Sequence, residues 1–202
     1  GVKSQFLDRR VQINVAAFSV EYDGFQANNF VLLNGAVVSN LTNAGTVKSE
    51  GFEADLVVNP IDGLNLRASA AYADARVKEF NPNPTTNAPD ARNGTRLPLA
   101  PEWSYNISAH YEFLLGGDAK LTPRVSWAYV GPRWTNLYYD PDLDYLKGRG
   151  LLSAQLALDL GDWSIEAYGT NLANKEYVSG QSGNNAFYGA PREYGVRASV
   201  RF

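Results

Sequence analysis

The sequence of 202 residues contains no cysteine and no methionine, and His110 is its one histidine. Without cysteine, disulfides and thiolate-bound metal sites are excluded, and a zinc site built from several histidines is impossible within this chain. The lack of cysteine also suits a protein that is exported through an oxidising compartment. We therefore expect no metal site and no cofactor.

Long apolar runs and a basic charge excess are also missing. No run of about 18 apolar residues occurs, which excludes a transmembrane helix, and no signal-peptide pattern is present. The net charge is -3 and the pI is near 5.2, so nothing indicates nucleic-acid binding. A mean hydropathy of -0.30 suits a soluble protein, but strands with one lipid-facing side would give the same average. Because the chain starts at Gly1, we expect it to be part of a longer product.

Apolar and polar residues alternate with a period of two along much of the chain, which predicts β-strands with two unlike faces. The clearest example is residues 103–113, where Trp, Tyr, Ile, Ala and Phe alternate with Ser, Asn, His and Glu. Near the N-terminus, the parity of residues 11–22 slips around Ala16 and Ala17. We expect a β-bulge or a misassigned face there. Other alternating segments are residues 52–58, 64–72, 152–160 and 194–202.

The connections between these strands alternate strictly in length. Short turns are expected at residues 6–10, 60–63, 114–119 and 161–162, and long polar loops at about 24–46, 77–101, 132–149 and 172–191. This pattern is typical of an antiparallel up-and-down transmembrane β-barrel, with short periplasmic turns and long extracellular loops. The sequence therefore predicts an all-β barrel wall with about eight full strands and the tail of a ninth.

Aromatic residues stand at the ends of the predicted strands, as the two interfacial girdles of a membrane barrel require. The core of an ordinary β-sandwich would also use such residues. The loop lengths favour the barrel, because a sandwich has no reason to keep all its short turns at one end. The aromatic residues concerned are Trp103, Phe113, Trp127, Tyr129, Trp163, Tyr194 and Phe202.

Five segments together resemble the C-terminal portion of a TonB-dependent receptor barrel. They are VKSQFLDRRVQINVAAFSVEYDGFQ, VKSEGFEADLVVNPIDGLNLRASAAYADARV, GTRLPLAPEWSYNISAHYEF, GTNLANKEY and the terminal REYGVRASVRF. The most specific parts are GFEADL before the GLNL hairpin, LPLAPEW, and NLANKEY before the closing strand. The resemblance runs over essentially the whole chain, so residues 1–202 are expected to be one barrel segment.

The resemblance implies a larger barrel of about 22 strands that holds a plug domain. Such receptors lie in the outer membrane of Gram-negative bacteria, in contact with its lipid, and import ferric siderophores, haem, cobalamin or glycans. The inner-membrane TonB complex supplies the energy. The resemblance places the plug and the TonB-contacting segment before the residues present here. Phe202 resembles the signal that the barrel-assembly machinery reads, although a terminal lipid-facing residue would look the same.

Few residues suggest catalysis, and we expect a receptor rather than an enzyme. His110 and Glu112 lie two apart on one predicted strand, so both should face the barrel interior. There they suit a hydrogen-bond network better than a proton relay or a ligand site. No nucleophile or base accompanies His110 in the pattern that a hydrolase needs.

The segment DPDLDY resembles half of a calcium-binding loop through its three aspartates at residues 140, 142 and 144. Position six of the loop would be Tyr145 and position twelve Leu151, where an EF-hand requires glycine and glutamate. The sequence therefore excludes an EF-hand, and a looser cation site in this loop is not favoured.

Three long loops carry arginine and aromatic residues that suit an anionic or aromatic ligand, as many siderophores are. In the loop at residues 131–150, which adds Lys147 and Arg149, the cations would also suit lipopolysaccharide phosphates. The aromatic residues of that loop would also suit an interfacial girdle, which is the simpler interpretation. The residues expected to contact ligand are Arg92, Arg96, Arg133, Trp134, Tyr138, Tyr139, Tyr145, Phe187 and Tyr188.

Three hypotheses are open at this point. The favoured one is a barrel segment of a nutrient receptor that binds a ferric siderophore, or a similar scarce ligand, through its loops. The second is a small barrel that closes on itself, since eight strands suffice geometrically, with a structural or adhesive role. The third is a soluble β-sandwich that binds a ligand such as a carbohydrate through its loop aromatic residues.

Overall fold

The computed structural model describes residues 1–33, 36–80, 91–182 and 184–201. The regular elements in these residues are all β-strands, and none of the described residues forms a helix long and apolar enough to cross a membrane. The strands are β1 (Val2–Phe6), β2 (Val11–Leu33), β3 (Ala36–Val58), β4 (Leu64–Phe80), β5 (Trp103–Tyr111), β6 (Phe113–Gly116), β7 (Ala119–Val130), β8 (Arg133–Trp134), β9 (Tyr145–Leu146), β10 (Arg149–Leu160), β11 (Trp163–Thr170), β12 (Val178–Ser182), β13 (Asn185–Tyr188) and β14 (Glu193–Val200).

Ten of these strands form one antiparallel sheet in the order β1-β2-β3-β4-β5-β7-β10-β11-β14, with β6 paired to β7. β5 and β6 are successive pieces of one crossing, because both pair with β7. The sheet thus has eight full crossings and the shorter β1, as the sequence predicts. One continuous sheet of this size is not a sandwich, which needs two packed sheets. In the described part of the chain β1 and β14 are edges that do not pair with each other, unlike the strands of a self-closing barrel.

Short turns and long connections lie at opposite ends of the sheet, which confirms the predicted alternation except at the connection between β2 and β3. The short-turn end holds the connections at residues 7–10, 59–63, 117–118 and 161–162. The opposite end, called the long-loop end below, holds the connections that follow β4, β7 and β11. Two of these contain small hairpins, because β8 pairs with β9 and β12 pairs with β13.

The predicted loop at residues 24–46 is wrong, because β2 and β3 continue through it as a long antiparallel hairpin. Their pairing runs from Val11 opposite Val58 to Leu33 opposite Ala36. The sequence contains a signal for this hairpin: apolar residues flank Asn34-Gly35, a dipeptide that favours two-residue hairpin turns. β4 likewise runs to Phe80, past the predicted start of the next loop.

The middle of the sheet has two chemically unlike faces, as the alternation predicts. Ile107 lies opposite Ala68 on one neighbouring strand and opposite Trp127 on the other, so apolar residues are level across strands. On the reverse face, Ser108 lies opposite an arginine and a serine. Ile107 is 54% exposed and Leu156 is 46% exposed. Water would penalise so much exposed apolar surface, whereas lipid would not.

Aromatic rings mark both ends of the apolar face. At the long-loop end, Phe52, Tyr72 and Trp103 pack with ring centroids between 5.0 and 5.7 Å apart, and we call them the upper girdle. At the short-turn end, the rings of Tyr111 and Phe113 lie 4.4 Å apart. Along β5, Trp103 and Tyr111 are separated by roughly 26 Å at about 3.3 Å per residue. At a strand tilt of about 40° this is a height of about 20 Å, which lies within the apolar band of about 25 Å of a membrane barrel.

Just beyond the upper girdle, the apolar face of the sheet becomes polar and the polar face becomes apolar. The pairing of β3 with β2 and β4 does not shift at this level. On the face that is apolar below the girdle, Lys48 pairs with Glu50 at 2.7 Å and Lys78 pairs with Glu21 at 2.8 Å. The β2–β3 pairing is continuous through Ala16–Ala17, so the first alternative expected there, a bulge, is wrong and the second, a misassigned face, is correct. The ladder becomes irregular only further on, between Asp23 and Gln26. The slip in sequence parity instead marks the level at which the chain leaves the apolar zone.

On the opposite face, the same segments become apolar and build a small hydrophobic core. Val47 and Val77 share this face with Asp55 and Arg67, which lie lower on the same strands. Val77 is fully buried. This loop core consists of Val47, Val77 and Phe80 with Phe25, Leu97 and Leu137 packed against them.

The predicted assembly signal, Phe202, lies outside the described residues. β14 ends at Val200, and the backbone N–H of Arg201 donates to the carbonyl of Asp162 in the β10–β11 turn, at 2.9 Å. Val196 on β14 is 74% exposed and continues the apolar face to the edge of the sheet.

Charged substitutions should separate the two faces in a membrane-insertion assay. Ile107→Arg or Leu156→Arg places a cation in the hydrocarbon layer, at a cost of about 2–4 kcal/mol near the midplane. The matched variants Ser108→Arg and Gln155→Arg place the same charge on the polar face and should insert as the parent does. The readout is the fraction of the full-length protein that becomes heat-modifiable in the membrane; equal insertion of both pairs would contradict the face assignment.

The polarity exchange predicts a different response above the upper girdle. Val77→Asp puts a carboxylate into the loop core, although the same face is polar lower down, and it should loosen the loop packed there. Hydrogen exchange at the amides of Val77 and Gly94, which bond to Thr95 and Val77, should accelerate about tenfold or more. Lys78→Gln, on the outer face, is the control and should leave these rates unchanged. Unchanged exchange in Val77→Asp would refute the loop core.

Candidate functional site

The long-loop end brings three loop segments together: residues 91–102, the β8–β9 hairpin with its connection, and the β12–β13 hairpin. Backbone hydrogen bonds join the first two, because the N–H of Leu99 donates to the carbonyl of Trp134 at 2.8 Å. The third is linked to the second by Gln181, whose Nε2 donates to the carbonyl of Asp142 at 3.3 Å. All nine candidate ligand residues from the sequence lie in these three segments.

Tyr139 ties the second loop to the first through its hydroxyl group. That hydroxyl donates to the carbonyl of Arg96 at 2.8 Å and accepts from the hydroxyl of Thr95 at 2.7 Å. Burial raises the pKa of Tyr139, and the Thr95 hydrogen bond and nearby Arg92 oppose this to a smaller extent. The phenol therefore stays protonated and continues to donate. Its role in the structure is to hold the loops together.

Aromatic rings gather next to this link. Trp134 packs edge-on against Tyr139 with ring centroids 5.4 Å apart, and it contacts Tyr145 at 5.0 Å. Tyr145 is 40% exposed and Tyr138 is 60% exposed. The hairpin thus presents partly exposed rings on a rigid support, an arrangement that suits contact with a flat or aromatic ligand.

The arginines of the first loop have partners within the protein. Arg96 forms an ion pair with Glu102 at 2.8 Å and a longer one with Asp74 at 3.7 Å. The guanidinium of Arg92 lies over the ring of Phe80, 4.2 Å from its centroid. Both side chains therefore contribute to the loop base.

The aspartates that resemble half a calcium loop stabilise a turn instead. Asp140 Oδ1 accepts the backbone N–H groups of Asp142 at 2.9 Å and Leu143 at 3.2 Å. Asp144 is buried; its Oδ2 accepts the N–H of Asp140 at 3.0 Å and its Oδ1 accepts from the side chain of Asn136. Within the described residues, no group of His, Cys, Asp and Glu side chains could hold a metal ion.

Phe187 and Tyr188 lie on β13 and form a second, separate group. They are 57% and 74% exposed, and β13 pairs with β12 through an irregular register. Among the described side chains, neither makes a ring contact with Trp134 or its neighbours. The structure therefore divides the aromatic candidates into two groups, one on each hairpin.

Asn171 has a role that the sequence analysis missed. Its Nδ2 donates to the carbonyls of Lys175 at 2.9 Å and Ala190 at 3.0 Å, and its Oδ1 accepts the N–H of Lys175 at 2.8 Å. The side chain is buried and closes the base of the connection that carries the β12–β13 hairpin. The motif NLANKEY was noted for its resemblance, but an asparagine directly after a strand also indicates such a bonded turn.

Arg133 and Arg149 lie near each other at the base of the second loop, close enough for their charges to interact. Arg149 opens β10 opposite Val130, on the face that carries Gln155 lower down, and its guanidinium lies 4.6 Å from the ring centroid of Tyr177. Burial lowers the pKa of Arg133, and the positive charge of Arg149 lowers it further. The arginine keeps its charge at any physiological pH, because it starts from a very high pKa.

His110 and Glu112 do not form the pair that their spacing suggests. His110 lies opposite Arg124 and Asn65 on the polar face. Glu112 falls between β5 and β6, where its carboxylate lies 3.8 Å from the ammonium group of Lys120. The described residues show no hydrogen bond between the histidine and the glutamate, and this region therefore presents no catalytic pair.

Comparison with known proteins agrees with this architecture. Residues 1–172 match the family described as TonB dependent receptor-like, beta-barrel. The ferric-pyoverdine M114 receptor PbuA of Pseudomonas sp. (strain M114) is 27% identical over 171 residues, which cover 79% of this chain and 19% of that protein. The chain therefore spans about a fifth of the length of this curated relative.

Solved structures show the same fold. The ferric yersiniabactin uptake receptor FyuA from Yersinia pestis superposes with a TM-score of 0.76 at 19% identity, covering 99% of this chain and 29% of that one. The siderophore receptor PiuA from Acinetobacter baumannii gives a TM-score of 0.75 at 19% identity, covering 97% and 26%. The family match over most of the chain, and a sheet with one apolar face between two aromatic girdles, together show that this chain belongs to the TonB-dependent receptors and forms part of their outer-membrane β-barrel.

Proposed function

We propose that this chain is the C-terminal barrel segment of a receptor that takes up a ferric siderophore or a similar scarce ligand, which it binds through its extracellular loops. The observation that carries the proposal is the pair of hairpins at the long-loop end, which present exposed aromatic rings on a hydrogen-bonded framework. The named cargoes of PbuA, FyuA and PiuA support the siderophore class. Binding by stacking and charge needs no catalytic residue, so we propose a transport receptor and not an enzyme.

The candidate residues divide by role. Tyr138, Phe187 and Tyr188 are exposed and would contact the ligand, with Trp134 and Tyr145 forming a second layer of the same surface. The other three residues, Arg92, Arg96 and Tyr139, would shape the loop base, since each contacts other loop residues. Arg133 is considered separately below.

The complete receptor would have further parts, and would contact further proteins, beyond this barrel segment. We propose that a plug and further strands complete the barrel, that the TonB complex energises uptake, and that the terminal Phe202 serves recognition by the barrel-assembly machinery. Residues 1–202 would act as one barrel segment embedded in outer-membrane lipid. The family match ends at residue 172, and the pairing of β14 with β11 joins the later residues to the same sheet. This pairing supports a single segment.

Uptake assays on the full-length receptor test the proposal. In a siderophore-deficient Gram-negative host, cells expressing it should accumulate radiolabelled iron from ferric pyoverdine or ferric yersiniabactin, and loss of TonB should abolish accumulation. Tyr188→Ala and Tyr138→Ala should each weaken binding of that complex about threefold to tenfold or more, as the loss of an interfacial aromatic residue does.

The matched control is Tyr194→Ala, which removes a similarly exposed tyrosine from the apolar face of β14. Its uptake should equal that of the parent once the amount of receptor in the outer membrane is normalised. Iron uptake that does not depend on TonB, or equal losses in all three variants, would contradict the proposed function.

A further inference from the structure

Two arginines at the long-loop end, Arg133 and Arg149, lack the carboxylate partner that Lys78 and Arg96 have. Lys78 is paired with Glu21 at 2.8 Å and Arg96 with Glu102 at 2.8 Å. Within the described residues, Arg133 and Arg149 have no carboxylate within ion-pair distance. Two positive charges therefore lie close together without a balancing negative charge.

Both guanidinium groups also have unused donors. Four side-chain atoms are shielded from solvent and lack a hydrogen-bond partner: Nη1 of Arg133, Nη1 of Arg149, the hydroxyl of Thr135 and Nη1 of Arg96. Of the three arginines, only Arg96 has a carboxylate, that of Asp74, near this atom, at 3.7 Å. Thr135 follows β8 directly, two residues after Arg133 in the same loop, and its backbone N–H donates to the carbonyl of Asp144 at 2.8 Å. The carboxylate of Asp144 accepts from Asn136 and from the N–H of Asp140, and among the described residues it forms no ion pair with either arginine.

The pair is positioned at the mouth of the barrel interior. Arg149 lies on the polar face of the sheet, which it shares with Ser153 and Gln155 further along β10. Its contact with the ring of Tyr177 orients the guanidinium. Since the lipid contacts the opposite face, the phosphates of lipopolysaccharide would not reach a residue placed here.

Burying unpaired charge is costly, and a like charge nearby increases the cost. A guanidinium presents parallel donors that match the two oxygens of a carboxylate or phosphate. We propose that Arg133 and Arg149, with the hydroxyl of Thr135, form an oxyanion site that receives an anionic group of the transported ligand. This inference rests on the proposed function and assigns to it a ligand class, an anionic chelate.

The site can be tested directly with inorganic pyrophosphate, which is independent of iron. Calorimetric titration of the purified full-length receptor in detergent should show binding that weakens about tenfold or more in Arg133→Gln and in Arg149→Gln. Lys147→Gln removes an exposed positive charge from the same loop and is the matched control, expected to bind as the parent does. Equal affinity in all four proteins would overturn the proposal.

Thermal unfolding distinguishes a ligand from a carboxylate supplied by the rest of the receptor. If the site is empty, Arg133→Gln should raise the unfolding midpoint, because it removes an unbalanced charge, and pyrophosphate should stabilise the parent more than the variant. A lowered midpoint together with no pyrophosphate binding would mean that an internal carboxylate balances the pair, and would overturn the proposal.

Two iron complexes separate this inference from the proposed function. Ferric trisoxalate carries three negative charges, whereas ferric tris(acetohydroxamate) is neutral. If the anionic complex binds the parent better and loses this preference in Arg149→Gln, the site selects cargo by charge. If both bind and the glutamine variants change neither them nor pyrophosphate, this inference fails while the proposed function stands. If only pyrophosphate binds, and binds through these arginines, the oxyanion site stands and the iron cargo is wrong.

Discussion

Lipid offers no hydrogen bonds, so each backbone N–H and C=O in the membrane must pair with a neighbouring strand. This requirement holds eight crossings in one antiparallel ladder, and the ladder in turn fixes which side chains are level with one another. Because side chains alternate strictly along a strand, one register decides both faces at once. The apolar surface around Ile107 and the polar surface around Ser108 are two consequences of the same backbone pairing.

The crossings were predictable from the sequence because lipid and the barrel interior impose opposite demands on alternate residues. Ile107 and Leu156 follow that rule, as does the whole of β5. The rule stops at the upper girdle, and the predictions fail where it stops. Residues 24–46 lack the alternation that marks the membrane crossings and were therefore predicted as a loop, but outside the membrane a strand needs no apolar face. Near Ala16 and Ala17 the same change of surroundings shifts the apolar–polar alternation by one residue. In the sequence this shift looks like a bulge, although the ladder is unbroken.

The sequence shows which types of residue the candidate site contains, but not which hydrogen bonds and ion pairs they form. The types of residue that suit an anionic or aromatic ligand are visible in the loop sequences. Which of them have partners depends on contacts far apart in the chain, such as Tyr139 with Thr95 and Arg96 with Asp74. Asn171 shows the same limit, since its bond to Ala190 spans the whole connection. Arg149 was visible in the sequence as one cation of its loop, but only the fold shows that it lies near Arg133.

The polarity exchange above the upper girdle divides one set of strands into two parts that are stabilised in different ways. Below it, the bilayer solvates the apolar side chains, so that part of the wall becomes stable only on entering the membrane. Above it, Val47, Val77 and Phe80 exclude water by packing on one another, as in a small soluble domain. The loop core brings together residues from β3 and β4 that the membrane ladder has already aligned. The loop core therefore depends on the transmembrane ladder, because the pairing that aligns β3 with β4 below the upper girdle also places Val47 opposite Val77 above it.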